Sequence, residues 1–161
     1  MSKQSRRKDR PRIIGTFAER LLLHQLAQEV FIRLPELHHD LDVEFEYFAH
    51  IPIGFLREPA DRLWGFCSLS QEKRGSYATL HREKNQTHRI LISRKLMHED
   101  LHETLKTIHH EFVHALLGKD IWKAEKHGPI FEKHDSRWTS DISAEIICER
   151  GVQQLRKGGV V

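Results

Sequence analysis

His98–Gly118 reads HEDLHETLKTIHHEFVHALLG, and the fold turns on this stretch. Leu101, Leu105, Ile108, Phe112 and Leu116 recur every three or four residues, the spacing of one apolar helix face. Gly118 stands where a C-terminal cap is expected. Inside the helix His110, Glu111, Phe112, Val113 and His114 spell HExxH. Residues four apart lie on one face about one turn apart, so both imidazoles reach a single metal ion. Glu111, next to the first, can touch the water such an ion activates. The chain has 13 histidines, and at its His and Glu content roughly 0.1 such motifs arise by chance. The setting must therefore carry part of the argument.

Catalytic zinc takes three protein ligands and leaves a fourth position for water. His127 follows a polar turn and directly precedes Gly128 and Pro129, and proline favours the first position of a helix. A turn there swings the imidazole back beneath the first helix. Glu132, His134, Glu145 and Glu149 are rivals for the third place. Glu145, on the last helix, leads them because it would make a different zinc-peptidase pattern. His109 lies about 100° around the helix from His110 and has no histidine at 113 to pair with, so it reads as a neighbour and not a ligand. Trp122, Trp138 and Phe131 read as core or cleft lining, and His134 as either a supporting or a surface residue. Tyr77, Arg137 and several histidines are available to stabilise an oxyanion, and the sequence selects none of them.

TFAERLLLHQLAQEVFIRLP (16–35) predicts a helix, with Thr16 and Glu19 as a capping box and Pro35 closing it. Phe17, Leu21, Leu26, Val30 and Phe31 form its apolar face, and His24 reads as a satisfied or exposed side chain. Leu41–Tyr47 alternates apolar and acidic residues, the period of a half-buried strand. Residues 51–62, with Pro52, Gly54 and Pro59, read as a connection. Leu63–Leu69, Ser76–Arg82 and His88–Ile92 read as short strands of a small, mostly antiparallel sheet. Gly128 and Pro129 open a helix running to about Trp138, and a last helix spans roughly 141–157. The order of elements predicts an α+β fold in one domain, residues 13–161, behind a basic tail, residues 1–12.

The length of 161 residues suits one domain with a full core. Hydrophobic residues at 39% and charged residues at 30% are ordinary for a globular protein. No apolar run approaches the roughly 20 residues of a membrane span, and the basic N-terminus lacks a signal core, so the expected location is intracellular and cytoplasmic, with nuclear or nucleoid association left open. Cys67 and Cys148 are too few for a disulfide framework or a four-cysteine zinc site, and read as two buried free thiols. Residues 1–12 carry a balance of +5 within a formal total of +3, which leaves −2 for the rest. That tail could neutralise nucleic-acid phosphates or be a solvated end, so DNA is a candidate partner.

HRILISRKLM (88–97), HHEFVHALLG (109–118) and KHGPIFEKH (126–134), taken together, resemble the SprT-like family of zinc metallopeptidases, some of whose members cleave proteins crosslinked to DNA. The resemblance covers roughly residues 41–140. It implies a zincin-like metalloprotease domain with Zn2+ held by His110, His114 and His127, Glu111 as catalytic acid and base, and a protein or peptide substrate. Many members add a zinc ribbon, for which this chain has too few cysteines. The competing expectations are a DNA-associated binding protein with a closed structural zinc site, for example with His134 added, and an HExxH peptidase using Glu145 as third ligand.

Overall fold

Thr16 starts the first helix as the sequence predicts. Its hydroxyl accepts from the Glu19 amide at 3.1 Å, and the Glu19 carboxylate accepts from the Thr16 amide at 2.7 Å, so two amides left unpaired by the helix start are satisfied. The computed structural model describes residues 14–56, 65–67 and 89–158. The basic tail, the expected strand Ser76–Arg82 and Tyr77 lie outside them.

The first helix, α1, spans Phe17–Leu37 and buries Leu22, Leu23, Leu26, Ala27, Val30 and Leu34. Two expectations need correction here. Pro35 does not close the helix: a proline in the last turn forfeits only its own amide bond, and the His38 amide still reaches the Leu34 carbonyl at 2.9 Å. The buried face is also rotated, leaving Phe17 72% and Leu21 44% exposed. Three consecutive leucines, 21–23, make the stripe ambiguous from spacing alone, and Glu19 points inward. His24 is exposed.

The expected strand Leu41–Tyr47 is instead a turn leading into a single helical turn, α2, Phe45–Phe48. Phe45 and Phe48, three apart, share one face there, with Phe48 buried and Val43, Phe45 and Tyr47 packed partly against the core. The supposed connection after it contains strand β1, Ile53–Phe55. Strands β2, Gly65–Cys67, and β3, Ile90–Ile92, lie within expected strands but are shorter. The sheet order is β1-β3-β2, with β1 parallel to β3 (Ile53 opposite Ile90) and β2 antiparallel to it (Gly65 opposite Ile92). Among the described residues the sheet is three-stranded and mixed, where a mostly antiparallel one is expected. Ile90 and Ile92 of the central strand are fully buried.

Ser93 caps a short helix, α3, Arg94–Glu99, its hydroxyl accepting from Leu96. Asp100, in extended conformation, caps α4, Leu101–Glu125. One predicted helix is therefore two, divided at Asp100. Gly118 leaves helical geometry as expected, with φ 83° and ψ 177°, a region open to glycine. The chain then resumes helix through 119–125, where a polar turn was expected. Helices α5, Pro129–Asp135, and α6, Ile142–Gly158, complete the described order. Helix α4 packs against α1, α3, α5, α6 and the strands β2 and β3, which makes it the centre of the structure. Among the described residues no helix is long and apolar enough to cross a membrane. Cys148 is a buried free thiol, pushed up to about 11 by burial.

Glu19 ties the start of α1 to α3. Burial opposes its ionisation, but Arg94 Nε at 2.7 Å, His98 Nε2 at 2.5 Å and the Thr16 cap hold its carboxyl down at about 2. A folded-state pKa below the usual 4.5 means stability that is present above pH 4.5 and lost as pH falls toward 2. Glu19→Gln should therefore cost about 1.5–3 kcal/mol at pH 7, with the gap from wild type closing below about pH 3. Denaturant unfolding at both pH values measures this, and a gap that stays constant would refute the ionic account.

Candidate metal centre

Helix α4 carries His110 and His114 one turn apart, with ring centroids separated by 5.0 Å. The third imidazole arrives by a tight reversal. Lys126 adopts a left-handed φ of 55°, with its amide still bonded to Trp122 O, and Gly128 caps α5 with Pro129 in the first turn. A Cβ at Gly128 would lie 2.7 Å from the Glu125 Cβ, so the reversal closes only around glycine. Glu125 Oε1 accepts from the Phe131 amide at 3.0 Å and fixes the turn from inside. His127, between Lys126 and Gly128, is thereby carried to 3.1 Å from His114, Nε2 to Nε2.

One nitrogen from each of His110, His114 and His127 lies within 4.8 Å of the others. Among the described residues this is the one group of three or more His, Cys, Asp or Glu side chains so disposed. The donors fit zinc: nitrogens bound at about 2.0–2.1 Å in a tetrahedron sit roughly 3.3 Å apart, close to the His114–His127 separation. Burial runs from His114, buried, through His110, half-buried, to His127, exposed, so the group opens on one side. Glu145, Glu132 and Glu149 are exposed and outside the group. His134 is buried elsewhere, against His38. Arg137 forks onto both Asp40 oxygens and donates to Leu37 O.

The rings are held by aromatic packing. Phe131, buried on α5, stacks on His114 at 4.2 Å between centroids and meets His110 and His127 edge-on at 4.8 and 5.0 Å. Trp122 contacts His114 and His127 edge-on. Both residues line the site, as the sequence suggests, while Trp138 stacks beside His109 with Arg33 over its ring.

Charge is distributed unevenly among these groups. Burial, reinforced by His110 and His127, pushes His114 down to about 3, and burial with His110 also lowers His127. Both are neutral at ordinary pH, the form that offers a lone pair to a metal. At His110 burial is outweighed by a hydrogen bond from Nδ1 to Asp135 Oδ2, 3.1 Å away, and by Glu111, which together raise its pKa. That bond leaves Nε2 as the ring nitrogen free to bind. Glu111 is buried and pushed up to about 7 by desolvation, against the pull of His110. Sequence reasoning missed Asp135, because its only signal is a position one turn beyond Phe131 on a helix whose orientation the motif does not reveal.

Since Phe131 touches all three imidazoles, Phe131→Ala should lower folding stability by about 3–5 kcal/mol and weaken metal uptake with it. Urea unfolding and zinc titration of the same preparation measure both, and an unchanged midpoint would show that the ring contributes no packing.

Neither a curated protein nor a solved structure matches this chain. The model of the SprT-like family does, over residues 55–147, which takes in α4, the reversal at 126–128 and α5. That family is of metallopeptidase type and metal-dependent. With more than half its length matched, and with the three histidines brought together inside the matched region, this chain belongs to the SprT-like family.

Proposed function

We propose that this chain is a zinc-dependent endopeptidase whose metal is held by His110, His114 and His127 and whose general base is Glu111. The observation that carries the reading is the convergence of three imidazole nitrogens, open on one side, along the helix that also holds a buried carboxylate. A structural zinc site would be closed by a fourth protein ligand. Among the described residues none joins the three, and His134, the candidate for that place, pairs with His38 instead. When bound, zinc lowers the pKa of water and polarises the scissile carbonyl.

The rest falls to the chain's own residues. Asp135 accepts the Nδ1 proton of His110 and holds that ring in one orientation. Phe131 and Trp122 wall the rings and keep water from one side. Glu111, buried and next to His110 on the same helix, is the carboxylate that takes a proton from the attacking water and returns it to the leaving amine. Attack by water needs no covalent enzyme intermediate.

Glu111→Gln, which keeps size and removes the base, should retain zinc while peptide hydrolysis falls by about 10²-fold or more. Turnover near the wild-type rate would defeat the role. His127→Ala should lose zinc and Glu145→Ala should keep it, as read by metal analysis after gel filtration. The reverse pattern would move the third ligand to α6.

The +5 balance of residues 1–12 favours a further reading, in which the substrate proteins are DNA-associated. Deleting those residues should then weaken DNA binding and flatten its salt dependence, each lost phosphate contact on duplex DNA removing a slope of about 0.9, while a DNA-free peptide is still cleaved. Equal binding by both forms across several salt concentrations would exclude the tail.

A further inference from the structure

Behind the metal-site face of α4 lies a second set of histidines, made of three rings from three elements. His38, at the C-terminal cap of α1, places Nε2 2.9 Å from His109 Nε2 and Nδ1 3.1 Å from His134 Nδ1. The His38 and His109 rings stack at 5.1 Å with 15° between planes. All three side chains are buried, His38 and His109 completely. The string ends at two atoms that lack a hydrogen-bond partner, His109 Nδ1 and Asp135 Oδ1. They face each other at 3.8 Å, so a shift of under about 1 Å would pair them. The other oxygen of Asp135 holds His110.

The order of protons along this string follows from one end. A carboxylate only accepts, and a neutral imidazole has one donor and one acceptor nitrogen. Facing Asp135, His109 Nδ1 must carry the proton, so its Nε2 accepts. His38 Nε2 must then donate, its Nδ1 accept, and His134 Nδ1 donate. The opposite order would set a lone pair of His109 against the carboxylate. Arg137 anchors the His38 segment by donating to Leu37 O at 2.9 Å and forking onto Asp40, and Trp138 packs on the His109 ring.

We infer that His109 is a positioning residue for the metal centre. Its proton order is set by His38 and His134, and its Nδ1–H, facing Asp135 Oδ1 across 3.8 Å, closes on that oxygen by the small shift above and so holds Asp135, which keeps His110 in the tautomer that turns Nε2 to the metal. This rests on the metal-centre reading above. Through it, residues that touch neither metal nor substrate set the site's metal affinity.

The test uses the full chain and zinc itself, competed against a chromophoric chelator, with the visible spectrum of the Co2+-loaded protein as a second readout. His109→Gln keeps a polar group toward His38 and loses the donor toward Asp135. It should weaken zinc binding about tenfold or more and alter the Co2+ spectrum. His109→Asn keeps a donor at the Nδ1 position and should recover affinity to within about threefold of wild type. If His109→Gln fails to fold, His38→Asn leaves α4 intact while freeing the His109 tautomer, and should weaken binding by about threefold to tenfold. Folded variants that all bind zinc as wild type does, with an unchanged Co2+ spectrum, would overturn the inference. So would equal losses in His109→Gln and His109→Asn, which would mark the string as packing alone. Wild-type protein that takes up no zinc would bring down the metal-centre reading, and this inference with it.

Discussion

Helix α4 runs through the middle of the structure carrying four adjacent polar groups, His109, His110, Glu111 and His114, of which only His110 is more than slightly exposed. Burying such groups is unfavourable unless each finds a partner. Successive residues leave a helix about 100° apart, so one element cannot supply all the partners. His109 takes His38 from the end of α1, His110 takes Asp135 from the end of α5, and His114 meets His127 from the reversal between α4 and α5. Satisfying one helix therefore fixes where three other parts of the chain must lie.

The surroundings make those positions hard to vary. Glu19 joins the cap of α1 to Arg94 and His98 of α3, and Arg137 joins the end of α1, at Leu37, and the turn after it, at Asp40, to the segment after α5. Arg137 also holds the Asp40 carboxyl well below the usual carboxylate range. Both anchors bridge segments far apart in sequence, near the two ends of α1. Between them the apolar face of α1 packs on α4 and α6.

Three neighbouring histidines meet three fates by direction alone. His109 points into the interior and is held neutral by burial, down to about 3. His110 points between Asp135 and Glu111, and those acids overcome burial to raise its pKa. His114 lies between Phe131 and Trp122 beside other histidines, and burial with those neighbours lowers it. The same side chain becomes a buried link, an acid-paired ring and an unprotonated nitrogen because the helix presents each to a different environment.

HExxH, the apolar spacing from Leu101 to Leu116, the Thr16 capping box and the proline at the start of α5 are local patterns, and they were legible without coordinates. Gly128 and Pro129 likewise mark the reversal that brings His127 beside His114, while spacing alone leaves Glu145 as a rival third ligand. Elsewhere the answer depended on distant partners. Ile53–Phe55 looks like a connection until Ile90–Ile92 lies beside it, and Leu41–Tyr47 alternates like a strand although its aromatics pack better on one turn of helix. The rotated face of α1 follows from the inward pull on Glu19 by Arg94 and His98, which spacing within α1 cannot register. Asp135 and His38 carry no motif, and only the packing of α5 and the end of α1 against α4 gives them roles. The HExxH spacing alone puts His110 and His114 on one face of a single helix, since side chains four apart on a helix meet by geometry. Strand pairing, helix rotation and the meeting of His38, His109 and His134 come from tertiary packing, because each depends on groups brought together from far along the chain.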